Sequence, residues 1–199
     1  MAVAQRKVTY DELCRRPDDG ILYELLDCEL VPRASPTPAH QQVVSRLSRL
    51  FEPVEDADHG TFYPGPIDVV FDQFNMTLPD GIFVVAVRQG IVTGTGVHGA
   101  PDVVMEVLSP TSIERDWSEK LAIYERFGVR SYWIINLTEQ RLHRFDLVDG
   151  HYVERASLGR GDVLNSPLFP GVPLDIGRLF QGRPTAGWSA ESSQRPPLR

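Results

Sequence analysis

Cysteine is scarce in this sequence: its 199 residues hold two, Cys14 and Cys28. Two cysteines so placed make neither a disulfide framework nor a CxxC metal or redox motif. Long apolar runs are missing as well. The longest, Ile82 to Val87, has six residues, against the roughly 18 that a membrane-spanning helix requires. The segment MAVAQRKVTYDEL turns acidic before an apolar signal core develops, so a cytoplasmic protein without an export signal is expected. Positive charge is in deficit too. Lys and Arg number 20 against 27 Asp and Glu, a formal charge of −7. Three arginines and one glutamate fall in the last 18 residues, which leaves residues 1–181 at −9. That balance argues against a broadly basic nucleic-acid-binding surface. A phosphate-rich partner would need a local basic groove or a bound divalent metal.

What is present suits one globular domain. Hydrophobic residues at 42% and charged residues at 24% are near the globular average and exclude a chain disordered throughout. The expectation is a single domain over residues 1–181, with 182–199 a disordered tail too poor in large apolar residues to pack.

Thr9-x-x-Glu12 fits a capping box opening a short helix over Thr9 to Arg16. Ile21 to Val31 reads as a hairpin turning near Asp27-Cys28, although cysteine suits a left-handed turn position poorly. Thr37 and Pro38 supply the N-cap and first residue of a helix reaching about Glu52, with Val43, Val44, Leu47, Leu50 and Phe51 on one face. Four strands follow: Ile67 to Phe71, Ile82 to Val87, Val103 to Leu108 and Ser131 to Leu137. The run VVMEVL is apolar on both faces apart from one glutamate, the pattern of a central strand. A helix opened by Thr111-x-x-Glu114 and closed at Gly128 links the last two strands, which implies a right-handed parallel crossover. A second hairpin turns at Asp149-Gly150. The fold class is therefore mixed α/β or α+β. Gly94 to Gly99 matches GxGxxG but leads to Pro101 and a strand, so it is expected to be a flexible loop and no dinucleotide fingerprint.

Three polar residues sit where packing alone would not put them. Asp80 follows Pro79 at the mouth of an apolar strand, and Glu106 interrupts VVMEVL. Burying an unpaired carboxylate there would be costly. Lys120 lies on the crossover helix, with Asp116 and Tyr124 at helical spacing on the same face. Two carboxylates from neighbouring strand ends suit Mg²⁺ or Mn²⁺, which take hard oxygen ligands; Mg²⁺ often needs only one or two from the protein. A nearby lysine could orient the attacking water or stabilise negative charge in phosphodiester hydrolysis. A plain ion pair between Lys120 and Asp116 is the structural alternative.

The stretches YELLDCELV (23–31), SPTPAHQQVV (35–44), LPDGIFV (78–84), APDVVMEVLSPTS (100–112), EKLAIYERFGVRSYWIIN (119–136) and SPLFPGVPLDIGRLF (166–180) occur in this order. As a set they resemble the bacterial Uma family of restriction endonucleases, within the PD-(D/E)XK nuclease superfamily. The resemblance implies a restriction-endonuclease-like core, a mixed sheet flanked by helices with an added N-terminal hairpin. It also implies metal-dependent cleavage of nucleic acid, with DNA the expected substrate. It maps onto Asp80 and Glu106 as metal ligands, aided by a backbone carbonyl near Val107, and onto Lys120 as the catalytic cation. The superfamily's usual lysine position, two residues after the acid, is Leu108 here, so Lys120 must reach back from the helix. Cys28 replaces an expected turn glycine, and Leu78 stands where glutamine is frequent.

Four supporting residues come next. Glu24 alternates with Leu22 and faces the site or solvent; the resemblance makes it an added metal or water ligand. His40 is a phosphate contact or a plain surface histidine. Tyr124 is core or a hydroxyl one turn past Lys120, and Asp102 a strand-start residue or a partner behind the metal ligands. The rival to an endonuclease, motivated by the acidic body and displaced lysine, is a catalytically inactive fold that binds nucleic acid or protein. A glycosidase using Asp80 and Glu106 as its acid and base would leave Lys120 without a role. A homodimer is also open, as enzymes of this class often cut two strands in pairs.

Overall fold

The computed structural model describes residues 7–181. The expected tail lies outside the described residues. The chain begins with α1 (Tyr10–Cys14) and the hairpin β1 (Tyr23–Leu26) and β2 (Glu29–Pro32), then the long α2 (Pro38–Asp56). Next come β3 (Gly60–Pro64), β4 (Val69–Asp72), β5 (Asn75–Thr77) and β6 (Gly81–Val85). A 3₁₀ turn over Ala86–Ile91 leads to β7 (Val92–Thr93), β8 (Gly96–His98) and β9 (Val103–Val107). After α3 (Ile113–Trp117) and α4 (Glu119–Arg126) follow β10 (Ser131–Asn136), β11 (Arg141–Val148) and β12 (His151–Leu158). The small ribbon β13 (Val163–Leu164) with β14 (Leu174–Asp175) and a 3₁₀ turn, Ile176–Phe180, complete it.

Two six-stranded sheets result, in orders β2-β1-β5-β4-β8-β7 and β12-β11-β10-β9-β6-β3. As expected, β9 is central: it pairs in parallel with β10 and antiparallel with β6, and all five of its residues are buried. Successive side chains on a strand face opposite ways. Val103, Met105 and Val107 therefore join the core under α2, whose hub is Phe51, 5.0 Å from Phe62 and 5.7 Å from Trp133 between ring centroids. Val104 and Leu108 face the other core, with Tyr124 and Tyr132. Glu106 shares their parity and so points toward α4.

The sequence reading needs correction at several points. The Thr9 capping box forms, its hydroxyl accepting from Glu12 N–H at 3.2 Å. The Thr111 box does not. Ser112 is the N-cap of α3, and its hydroxyl is engaged by Ser109 at 2.9 Å instead of capping the helix. The crossover is two helices, broken at Ser118 (φ −129°, ψ −75°), whose hydroxyl donates back to the Glu114 carbonyl. α2 runs past Glu52 to Asp56 with Pro53 inside it; Val54 continues the buried face and holds that last turn. Gly94 to Gly99 is no loose loop: β8 pairs with both β7 and β4. At the first hairpin, Asp27 (φ 48°) and Cys28 (φ 72°) both adopt left-handed backbone, as a type I′ turn requires. The turn is held from outside: Cys28 N–H donates to Phe74 O at 3.0 Å, Asp27 N–H to Asn75 Oδ1 at 3.0 Å, and Arg126 Nη2 of α4 to Asp27 Oδ1 at 2.6 Å. Among the described residues, no helix is long and apolar enough to cross a membrane.

Candidate active site

Strand parity brings three carboxylates to one place. Glu24 shares its face of β1 with Leu26, Asp80 precedes β6 in phase with Ile82 and Val84, and Glu106 is in phase with Val104 and Leu108; these apolar neighbours all belong to the core beside α4. The acids reach the floor of a cavity of about 550 Å³, lined also by Arg33, His40 and Lys120. All six residues but Arg33 are buried, Glu106 at 2% and Asp80 at 4% exposure; the Arg33 side chain is 20% exposed.

Lys120 is the hub. Its Nζ lies 2.8 Å from Glu24 Oε1, 2.9 Å from Glu106 Oε1 and 3.6 Å from Asp116 Oδ1. An ammonium so buried costs several kcal/mol unless paired, and these carboxylates supply the pairing. Burial lowers its pKa, but Glu106 first, then Glu24 and Asp116, reverse that and leave it above the ordinary lysine value. Glu106 Oε1 also accepts from Tyr124 Oη at 2.8 Å, and Glu24 Oε1 from Leu78 N–H at 2.9 Å. Burial pushes Glu106 up to about 8, with Lys120 pulling it down and Asp116, Asp80 and Glu24 adding to the rise. Asp116 is pushed up to about 6, chiefly by burial. Its Oδ1 has no hydrogen-bond partner among the described residues.

Asp80 has a different environment. Its Oδ1 meets His40 Nε2 at 3.0 Å and the Arg33 guanidinium, and its Oδ2 accepts Val107 N–H at 2.8 Å. Burial alone would raise its pKa, but His40, Arg33 and the Val107 amide outweigh burial and hold it below the ordinary aspartate value. His40 reaches Asp80 because Thr37 caps α2 by accepting the His40 N–H at 3.2 Å. Arg33 is anchored by donating to Leu78 O.

The structure thus gathers Glu24, His40, Asp80, Glu106, Lys120 and Tyr124. Asp102 is elsewhere, at the opposite end of β9, where its buried carboxylate accepts Val85 N–H at 3.0 Å and pairs with Arg88 at 2.8 Å and Arg130 at 3.1 Å. It is the strand-start residue that the sequence suggested and not a partner behind the metal ligands: it clamps the far end of the sheet. Arg33 escaped the sequence reading. It stands in a loop with no periodicity to place it, and one arginine before a proline-rich stretch carries no signal of its own.

The donor set consists of hard oxygens, which suits Mg²⁺ or Mn²⁺. Asp80, Glu106 and the Val107 carbonyl could hold such an ion, leaving its remaining positions to water and substrate. Among the described residues, however, no group of three or more His, Cys, Asp or Glu stands ready to bind a metal. The cations Arg33 and Lys120 sit between the acids.

The family Uma2, described as putative restriction endonuclease, matches residues 8–177, most of the chain. The chain belongs to the Uma2 family. No curated protein matches it. Among solved structures, a putative nuclease belonging to DUF820 from Anabaena variabilis is similar, with TM-score 0.70 and 18% identity over 87% of this chain and 97% of that one. The Uma2 chain therefore has the expected restriction-endonuclease-like α+β fold, built here on two six-stranded sheets with few helices.

Proposed function

We propose that this Uma2 protein hydrolyses phosphodiester bonds of nucleic acid, DNA in the first instance, with Mg²⁺ or Mn²⁺ held by Asp80 and Glu106. The observation that carries the reading is the convergence of Asp80, Glu106 and Lys120 from three separate elements on one cavity. Membership of a family described as putative restriction endonuclease supports it. The ion would supply Lewis-acid polarisation of the phosphoryl group and lower the pKa of water. Val107 N–H fixes the Asp80 carboxylate through Oδ2, and Tyr124 orients Glu106 through its hydroxyl. Lys120, held by its carboxylates, supplies fixed positive charge beside the site to balance negative charge on the phosphoryl oxygens. Glu24 holds Lys120 in that position. Water adds to phosphorus, the P–O bond to the leaving nucleotide breaks, and a phosphate monoester and a hydroxyl result. Cutting both strands of a duplex with one site per chain calls for two copies, so a homodimer is part of the proposal for duplex DNA.

The test is Mn²⁺ titration by calorimetry, followed by cleavage of plasmid and single-stranded DNA. Asp80→Ala should lose the metal-binding heat, and both Asp80→Ala and Glu106→Ala should lose cleavage by at least about a hundredfold. Metal-dependent cleavage that survives both substitutions would overturn the assignment. A second reading, a fold that binds without cutting, is favoured by one feature: Lys120 Nζ is enclosed by three carboxylates at 3% exposure. It expects nucleic-acid or protein binding that Asp80→Ala leaves unchanged.

A further inference from the structure

Arg33 occupies a position that the metal reading leaves unexplained. Its guanidinium meets Asp80 Oδ1 and the Leu78 carbonyl, and it lines the cavity. His40 Nε2 shares Asp80 Oδ1 at 3.0 Å, so two donors crowd the cavity's most accessible charge pair. Four carboxylates, Glu24, Asp80, Glu106 and Asp116, are buried within this one cluster. Lys120 answers three of them, and Arg33 answers the fourth. A divalent cation held by Asp80 would have to share that carboxylate with the guanidinium. Like charges brought that close repel, the more so where burial limits screening by water.

Unlike Lys120, Arg33 is free to respond. It stands just after β2 in the irregular stretch before α2, its side chain is the most solvent-accessible in the cluster, and its anchor besides Asp80 is one backbone carbonyl. Guanidinium also binds phosphate oxygens in paired fashion, through the fork that it presents to carboxylates.

We propose that Arg33 is a resident counter-cation that holds Asp80 in the metal-free protein, is displaced by the divalent ion, and then clamps the substrate phosphate beside the cleaved bond. This rests on the metal-dependent reading given above. It accounts for the lack of a ready-made metal cluster among the described residues: the acid that would bind the ion is already paired. It also makes metal and substrate mutually reinforcing, because each gives Arg33 or Asp80 the partner that the other has taken.

The test uses the full chain and two probes, Mn²⁺ alone and an oligothymidylate with Ca²⁺ in place of Mn²⁺. Arg33→Gln should bind Mn²⁺ at least about tenfold more tightly than wild type, since a competing charge is gone. The same variant should bind the oligonucleotide at least about tenfold more weakly. Arg33→Lys, which keeps the charge, should stay near wild type for Mn²⁺. Unchanged or weaker Mn²⁺ binding by folded Arg33→Gln, with wild-type binding still lost in Asp80→Ala, would overturn displacement and leave the metal reading standing. Absence of Asp80-dependent Mn²⁺ binding in every variant would overturn both. Should Arg33→Gln fail to fold, the Arg33 Nε–H resonance of the wild type, assigned with Arg33→Lys, gives the answer on Mg²⁺ titration. It should shift as the ion binds, and a resonance that stays put rejects the displacement.

Discussion

Glu106 is held between opposed demands, and its titration should register in the stability of the whole protein. Its carboxyl lies among buried groups that favour the protonated form, against the pull of Lys120, so it titrates near 8 when folded in place of about 4.5. Between those two values the folded state binds more protons than the unfolded chain. Stability must therefore fall as pH rises from about 4.5 to about 8. Asp116 adds to the decline between 3.8 and about 6. Asp80 has the opposite sign: its folded pKa is depressed, so its contribution is present above 3.8 and fades in stronger acid. The wild-type Tm should drop on going from pH 5 to pH 8. Glu106→Gln, which cannot ionise, should flatten most of that drop, a difference of order a few kcal/mol. Scanning calorimetry of both proteins across this range decides it. Equal slopes would mean that Glu106 is not the group responsible.

At the scale of elements, the approach to Asp80 depends on the residue after β3. Gly65 N–H donates to Asp80 O at 2.9 Å, and a Cβ at Gly65 would stand 2.0 Å from Pro79 O and 3.0 Å from Asp80 Cα. Backbone cannot yield there without moving Asp80. Gly65→Ala should cost roughly 1–3 kcal/mol and weaken Mn²⁺ binding, measured by denaturant melts and calorimetry. Gly90→Ala, which meets nothing within 4 Å, is the matched control and should leave metal binding unchanged. The same scale shows where sequence reasoning has reach. Continuous apolar runs located β6, β9 and β10, because two-sided burial leaves a strong imprint. Glu106 stood out for the same reason. β3 (GTFYP) left no such imprint: its five residues include a glycine and a proline, and of the five only Phe62 is buried. Glu24 was ambiguous because Glu24, Leu25 and Leu26 are all buried, so alternation could not say which face meets solvent. The Thr111 box misled because Ser109 and Ser112 compete locally for the same hydrogen bonds. Arg33 was illegible, since its role depends on Leu78 and Asp80, far along the chain.

At the scale of the whole molecule, the charge of −7 sets how nucleic acid can be approached. With the net charge opposing phosphate, attachment would rest on the ion and a few local cations. Binding of an oligonucleotide should then be lost in EDTA and restored by Ca²⁺. Its affinity should fall only shallowly with salt, with a slope of magnitude below about 3, since each neutralised phosphate contributes close to one. Fluorescence anisotropy at several salt concentrations measures this. Tight binding in EDTA with a steep slope would instead point to a basic face.

The clasp at Asp27 and Cys28 has a bearing on biosynthesis. It ties the first hairpin, which carries Glu24 and leads to Arg33, to Arg126 of α4, the helix that carries Lys120. The earliest acid of the cluster is thus translated long before the segment that fastens it. A ribosome-bound chain ending before Arg126 has Glu24, Arg33 and Asp80 but lacks the α4 end of this contact. Assembly of the cluster therefore waits until the chain has been made through α4.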